Sequence, residues 1–281
     1  MDMISGLRAR AAEKHRDLHP DVASAFSLDG RTAVVTGAAT VIGRQASVIY
    51  AGAGARVVLA DTAKDALEET AALIDDALVI PTEVTQKAEV DELARQAIRA
   101  TGRIDAWANV AGLTGTARAL DAEEEDLDAM LVINLKGAFW GCAAAARVMV
   151  AAGRGSIINV ASDAGHCAVQ PLAIDGLAMA SALQLTRTVA AELGPKGVRV
   201  NLVAAGPFDT AAAGQNPADP ERSVNEIERA SVVTAGRFGR LSGGAADSLT
   251  VAWSMLFLAA DASHLMTGQI LKPCGGVFAS S

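Results

Sequence analysis

Apolar and polar positions change period repeatedly along this chain, and the changes come in a regular order. Thr32-Ala33-Val34-Val35-Thr36 is a run rich in β-branched residues that ends at Gly37, and a helix-like segment follows to Ala53, stopped by Gly54. Arg56 to Ala60 reads as a second strand ending at Asp61, followed by a helix pattern from Ala63 to about Ile74. Leu78-Val79-Ile80 is the next strand, and Lys87 to Ala100 sets Val90, Leu93, Ala94, Ala97 and Ile98 on one helical face. Ile104 to Asn109 reads as strand. Two apolar helical stretches, around Leu127 to Asn134 and Gly137 to Ala152, precede a strand from Ser156 to Ala161. A helix from Gly176 to Leu193 leads to the strand Val198 to Val203, and a helix from Ala245 to Ala260 and a short strand from Gln269 to Leu271 close the pattern. Strands alternating with helices predict a parallel sheet covered on both faces, a doubly wound α/β fold.

Two stretches break the alternation. Residues 1–26 are polar, with a helical pattern interrupted at His19-Pro20 and no core of their own, and read as an N-terminal helical arm. The segment from Pro207 to Arg240 is long, polar and punctuated by Pro217, Pro220 and Gly236, and predicts a lid at about 207–240 over a single domain spanning 27–281. A length of 281 residues suits one large α/β domain with a sizeable core. Composition narrows the partners. No apolar run approaches the roughly 20 residues of a membrane span, and Met1 to Arg16 lacks the apolar core of a secretory signal, so a cytoplasmic protein is expected. Cys142, Cys167 and Cys274 have neither metal-ligand spacing nor a disulfide framework, so reduced thiols and no metal are expected. A net charge of −8 without a basic cluster argues against nucleic acid and anionic membrane and leaves small molecules and protein subunits.

Candidate chemistry starts at Thr36-Gly37-Ala38-Ala39-Thr40-Val41-Ile42-Gly43, after the first strand and at the start of a helix, where backbone N–H groups can meet a phosphate. Asn109-Val110-Ala111-Gly112, Val132-Ile133-Asn134-Leu135-Lys136-Gly137, Ser162 at the end of Gly155-Ser156-Ile157-Ile158-Asn159-Val160, then Thr186-Arg187-Thr188 and Thr267-Gly268 follow in order. In these landmarks the chain resembles the short-chain dehydrogenase/reductase family over about residues 27–276. The resemblance implies a Rossmann-like oxidoreductase scaffold. It also implies a dinucleotide held by Gly37, Thr40, Val41, Ile42 and Gly43, with Asp61 on the adenosine ribose and Glu83 and Val84 at the adenine. Asn109, Ala111 and Gly112 count among the cofactor-binding positions and would keep a structural role in the sheet, and Thr210 would touch the cofactor amide. A carboxylate at Asp61 would repel a 2′-phosphate, so NAD is preferred over NADP. The family pairs its subunits through the helices at 137–152 and 176–193, which implies a homodimer or homotetramer, with an active homologue as an alternative partner.

The departures are as informative as the matches. The middle glycine of the phosphate turn is Val41, whose side chain narrows the approach and is unfavourable if the backbone needs positive φ. The family's tyrosine, thirteen residues after the serine, is Asp175, and its lysine, one turn further, is Met179. The only tyrosine, Tyr50, lies far upstream, and Ala205 and Pro273-Cys274 replace other family residues. Local charge falls by two, and losing one general acid costs ~10²–10⁴ in rate.

Asp175 has two readings. A carboxyl in an apolar cleft has its pKa raised and can serve as acid or base, with Ser162, Asp163, His166 and Cys167 on the same segment. Alternatively it precedes a helix and caps the N–H of Leu177 or Ala178. Asn134 either supports a proton-relay water or bridges two backbones where a helix bends. Ser162 either bonds the substrate oxygen or ends its strand, and His166 is either a catalyst or a loop residue. Three functions stay open. One is acid/base chemistry of isomerisation or dehydration type on a small, largely apolar oxygenated metabolite, with little or no ordinary hydride transfer. Another is a catalytically inactive homologue serving as a structural or regulatory subunit. The third is an NAD-dependent oxidoreductase with a non-standard proton relay.

Overall fold

The structure, a computed structural model, describes residues 19–115, 118–166, 172–206 and 248–275. Thr210, Cys167, the predicted lid and residues 1–18 of the arm lie outside them.

Seven parallel strands form one sheet in the order β3-β2-β1-β4-β5-β6-β7. They are β1 Thr32–Thr36, β2 Arg56–Ala60, β3 Leu78–Val79, β4 Ala106–Asn109, β5 Gly155–Ser162, β6 Val198–Ala205 and β7 Ile270–Leu271. The inner strands are largely buried on both faces, although Asn159 in β5 and Asn201 in β6 interrupt their apolar runs; β1 has no exposed residue. The chain leaves β1 to build β2 and β3 and returns to place β4 on the other side of β1, so the order reverses between β1 and β4. The crevice at the carboxyl ends of those strands is where such sheets hold ligands.

Eight helices lie around the sheet among the described residues: α1 Pro20–Phe26, α2 Val41–Gly52, α3 Lys64–Ala71, α4 Lys87–Thr101, α5 Glu124–Leu131, α6 Ala138–Ala152, α7 Ala173–Leu193 and α8 Ser248–Ala259. One face carries α2 and α8, packed on each other through Ala46, Ile49, Tyr50, Val251 and Met255. The other carries α4, α6 and α7, with Leu93, Ala97, Ala145, Met149 and Ala190 over Trp107, Ile157 and Val200. Tyr50 is fully buried in the first layer, and its phenol contributes nothing to the crevice. The arm's described end is α1, started by His19 and Pro20 and held to α8 by a Phe26–Phe257 ring contact.

Two expectations need correction. The helix predicted from Gly176 begins at Ala173, so Asp175 lies inside its first turn and not before it. The stretches predicted at 127–134 and 137–152 are one continuous helix, Glu124–Ala152, joined by a π segment at Val132–Gly137. Its 29 residues are long and apolar enough to cross a membrane by length and composition alone; Lys136 and Arg147 interrupt the apolar run, and α6 lies on the sheet.

Candidate active site

The phosphate turn keeps the glycines that the protein itself needs. A Cβ on Gly37, whose φ is +68°, would stand 2.5 Å from the Ala111 nitrogen, and one on Gly43 would stand 2.0 Å from the Gly37 carbonyl oxygen. Thr40 fastens the turn: its Oγ1 donates to the Gly37 carbonyl at 2.7 Å and accepts the Gly43 N–H at 3.1 Å. Val41 is the first residue of α2, and no positive φ occurs there, so the expected backbone penalty is absent and only side-chain bulk remains. Ile42 packs against the α2–α8 core.

Around this turn the other candidate positions are bound to the fold. Asp61 accepts the Ala39 N–H at 3.1 Å through one oxygen and the Ala63 N–H at 3.0 Å through the other. Glu83 accepts the Thr85 N–H at 3.0 Å, and Val84 is buried against Gly137. Ala111 supports Gly37, and Gly112 faces the Asn134 side chain. Asn109 is turned away from the crevice. It accepts from the Trp107 indole at 2.8 Å and donates to Asn159 at 2.8 Å, and Asn159 donates on to Thr186 at 2.9 Å, a buried chain linking β4, β5 and α7. Its side chain therefore serves the sheet, tying β4 to β5 and, through Asn159, to α7.

These residues fit a dinucleotide unevenly. The cradle of Gly37, Thr40 and Gly43 and the carboxylate of Asp61 would hold the pyrophosphate and adenosine ribose, whereas Met179 offers nothing to the ribose at the nicotinamide end. Met179 is buried with Ala161, Ala182, Leu183 and Leu202, and its Sδ accepts the Ser162 N–H at 3.3 Å.

At the catalytic end, Asn134 sits in the π segment and clamps the loop after β4. Its Oδ1 accepts the Leu113 N–H at 2.8 Å, and its Nδ2 donates to the Leu113 carbonyl at 2.9 Å. Ser162 ends β5 and accepts the Ala164 N–H at 3.2 Å, which leaves its O–H able to donate outward. Asp175 is 3 % exposed. It accepts the Gly115 N–H, and its Oδ1 is buried without a hydrogen-bond partner, so it caps neither Leu177 nor Ala178. Burial pushes its carboxyl up to about 7, with the Gly115 bond pulling the other way.

Asp163, one residue past Ser162, is 1 % exposed, and the Cys274 thiol is the hydrogen-bond donor that faces its carboxyl. Burial raises it to about 6 against the Cys274 thiol and the Lys272 ammonium. His166 has a buried, unpartnered Nε2, and burial, then Lys272 and Arg187, lower its pKa. Asp175 thus lies against the loop after β4, and Asp163 and His166 lie toward the segment after β7. The sequence pattern names Asp163 only as a neighbour; its setting depends on residues more than a hundred positions later. No group of three or more metal-ligating side chains occurs among the described residues.

Comparisons with known proteins agree with this architecture. The family model described as enoyl-(acyl carrier protein) reductase matches residues 37–277. The chain is 31 % identical to the 3-oxoacyl-(acyl-carrier-protein) reductase FabG of Thermotoga maritima, covering 89 % of this chain and 98 % of that one. It is 33 % identical to a sorbitol dehydrogenase of Cereibacter sphaeroides, with the same two coverages. A crystal structure of a short-chain type dehydrogenase/reductase from Mycobacterium marinum superposes with a TM-score of 0.79 at 31 % identity, over 90 % of this chain and 97 % of that one.

Proposed function

Since the chain belongs to the short-chain dehydrogenase/reductase family of oxidoreductases, we propose that it uses that scaffold for acid/base chemistry at Asp175 with little or no ordinary hydride transfer. The reaction is of isomerisation or dehydration type on a small, largely apolar oxygenated metabolite. One observation carries this reading. A carboxyl sits where the family has its tyrosine, almost fully buried and with Oδ1 unpartnered. Leaving a buried polar atom unpaired costs ~1–3 kcal/mol, so an inert subunit would be better served by an apolar side chain at 175. A group poised at about 7 can both give and take a proton near neutrality.

In this mechanism Ser162 donates its hydroxyl proton as a hydrogen bond to the substrate oxygen. Asn134 fixes the 113–115 loop, and Gly115 holds the Asp175 carboxyl in place. His166 and Asp163 flank the serine and complete the polar surface. A nicotinamide held by this scaffold would supply hydride exchange, which the acid/base reading leaves little used. NAD is favoured over NADP by the Asp61 carboxylate, whose oxygens already serve the turn. The same reading takes the protein as a cytoplasmic homodimer or homotetramer, supported by the exposed Phe139 on α6 and Leu177 on α7.

A second reading, an NAD-dependent oxidoreductase with Asp175 as its relay, is favoured by the unstrained helical start at Val41. The test is proton exchange and dehydration of small hydroxy and keto compounds followed by NMR in deuterated water, with and without NAD. Turnover without cofactor should fall ~100-fold or more in both Asp175→Asn and Ser162→Ala. Full activity in either variant refutes the roles, and rapid NADH-dependent ketone reduction by the unmodified chain refutes the first reading in favour of the second.

A further inference from the structure

Asp175 stands against an apolar wall. Its helical neighbours Ile174 and Ala178 pack with Met130, and Leu113, Leu127 and Leu131 complete that cluster. Among the described residues, burial raises the carboxyl's pKa and the Gly115 N–H lowers it. Lys272 acts on Asp163 and His166 and is not among the groups acting on Asp175.

This arrangement has a sign. Chemistry that builds negative charge on a substrate oxygen needs donors or cations facing it, and here the family's ammonium is replaced by the Met179 thioether. Chemistry that builds positive charge on nitrogen is favoured by a facing carboxylate, since ion-assisted hydrogen bonds are about twice as strong as neutral ones. We infer that the site at Asp175 takes a small, largely apolar substrate bearing a basic nitrogen, an ammonium or iminium paired with the unpartnered Asp175 carboxylate oxygen. The inference rests on Asp175 facing the substrate, as proposed above, and narrows the substrate to nitrogen compounds. For an enamine the proton transfer balances without a further reactant. The Asp175 O–H bond breaks as the enamine carbon takes the proton, the nitrogen lone pair forms the C=N bond, and the iminium stands opposite the new carboxylate.

Calorimetric titration of the purified full chain with cyclohexylammonium, cyclohexanol and cyclohexanecarboxylate tests this. At about pH 8 and low salt the ammonium should bind saturably and roughly tenfold or more tighter than the alcohol, and the carboxylate least of all. Asp175→Asn should erase the ammonium's advantage and leave the alcohol unchanged, while Asp65→Asn, at an exposed position on α3, should preserve it. Equal or tighter binding of the alcohol, no saturable ammonium binding, or an advantage that survives Asp175→Asn overturns the inference. The comparison of the three probes on the unmodified chain decides the matter even if a variant does not fold. Ammonium preference without any turnover would sink the catalytic reading alone; turnover of a neutral oxygen compound without that preference would sink this one alone.

Discussion

The phosphate turn and the start of α7 have both departed from the family pattern, but in opposite ways. At the turn, the glycines kept are the two whose Cβ would strike backbone, Gly37 and Gly43, and the one replaced, by Val41, is the one that only a ligand needs. The replacement is apolar, takes helical φ and adds no burden to the fold. At α7 the residues kept also have work inside the protein: Asn134 clamps Leu113, and Ser162 ends β5 and caps the turn after it. The replacement there is different in kind. Asp175 burdens the fold with a buried, half-satisfied carboxyl. A site under no demand drifts toward cheap residues, as the turn has. A buried ionisable group with a shifted pKa is a candidate for function, and this contrast between the two ends is what the proposed acid/base reading expects.

The largest expected effect tests whether Asp175 carries that burden. Its pKa is raised by folding, so the cost is absent below about pH 4, grows as pH rises and is complete above about 7. From an ordinary value of 3.8 to about 7, at ~1.4 kcal/mol per pH unit, the loss is on the order of 4 kcal/mol. Urea unfolding across this window should show stability falling with pH. In Asp175→Asn the decline should shrink and end near pH 6, where the Asp163 carboxyl completes its own titration. An unchanged slope would mean that the carboxyl is not buried as described, and the contrast between the two ends would lose one side.

Next in size is the cost of touching a residue that the fold itself requires. Gly43→Ala places a methyl 2.0 Å from a backbone oxygen, and overpacking of this kind should cost about 3 kcal/mol by denaturant unfolding, whether or not NAD is present. A loss below ~0.5 kcal/mol would show that the turn's glycines serve a ligand after all.

Much of this fold could be read from periodicity, because buried parallel strands such as β1 and β5 have apolar centres and their ends fall within a residue or two of the pattern. The catalytic end was less legible. The early start of α7 escaped because its N-cap position is Leu172, with no side-chain cap to signal it. The direction of Asn109 depends on Trp107, Asn159 and Thr186, and the state of Asp175 on Gly115, sixty positions away. Local pattern fixes where a residue lies along its element; which of its atoms find partners is settled by contacts between distant segments.

The smallest effect on stability belongs to the sharpest test of the cofactor end. Val41→Gly removes a side chain from the first turn of α2, where the backbone already has a shape that glycine or valine can take. The cost to the fold should stay within ~1 kcal/mol. Fluorescence titration with NADH should nevertheless improve roughly tenfold or more, because backbone can then approach the pyrophosphate as such turns require. Ketone reduction should remain absent, since Asp175 and Met179 are untouched. If affinity does not move, Val41 is not what closes the phosphate end, and the divergence of the two ends has to be sought in Met179; pairing Val41→Gly with Met179→Lys would then show which contact the dinucleotide lacks.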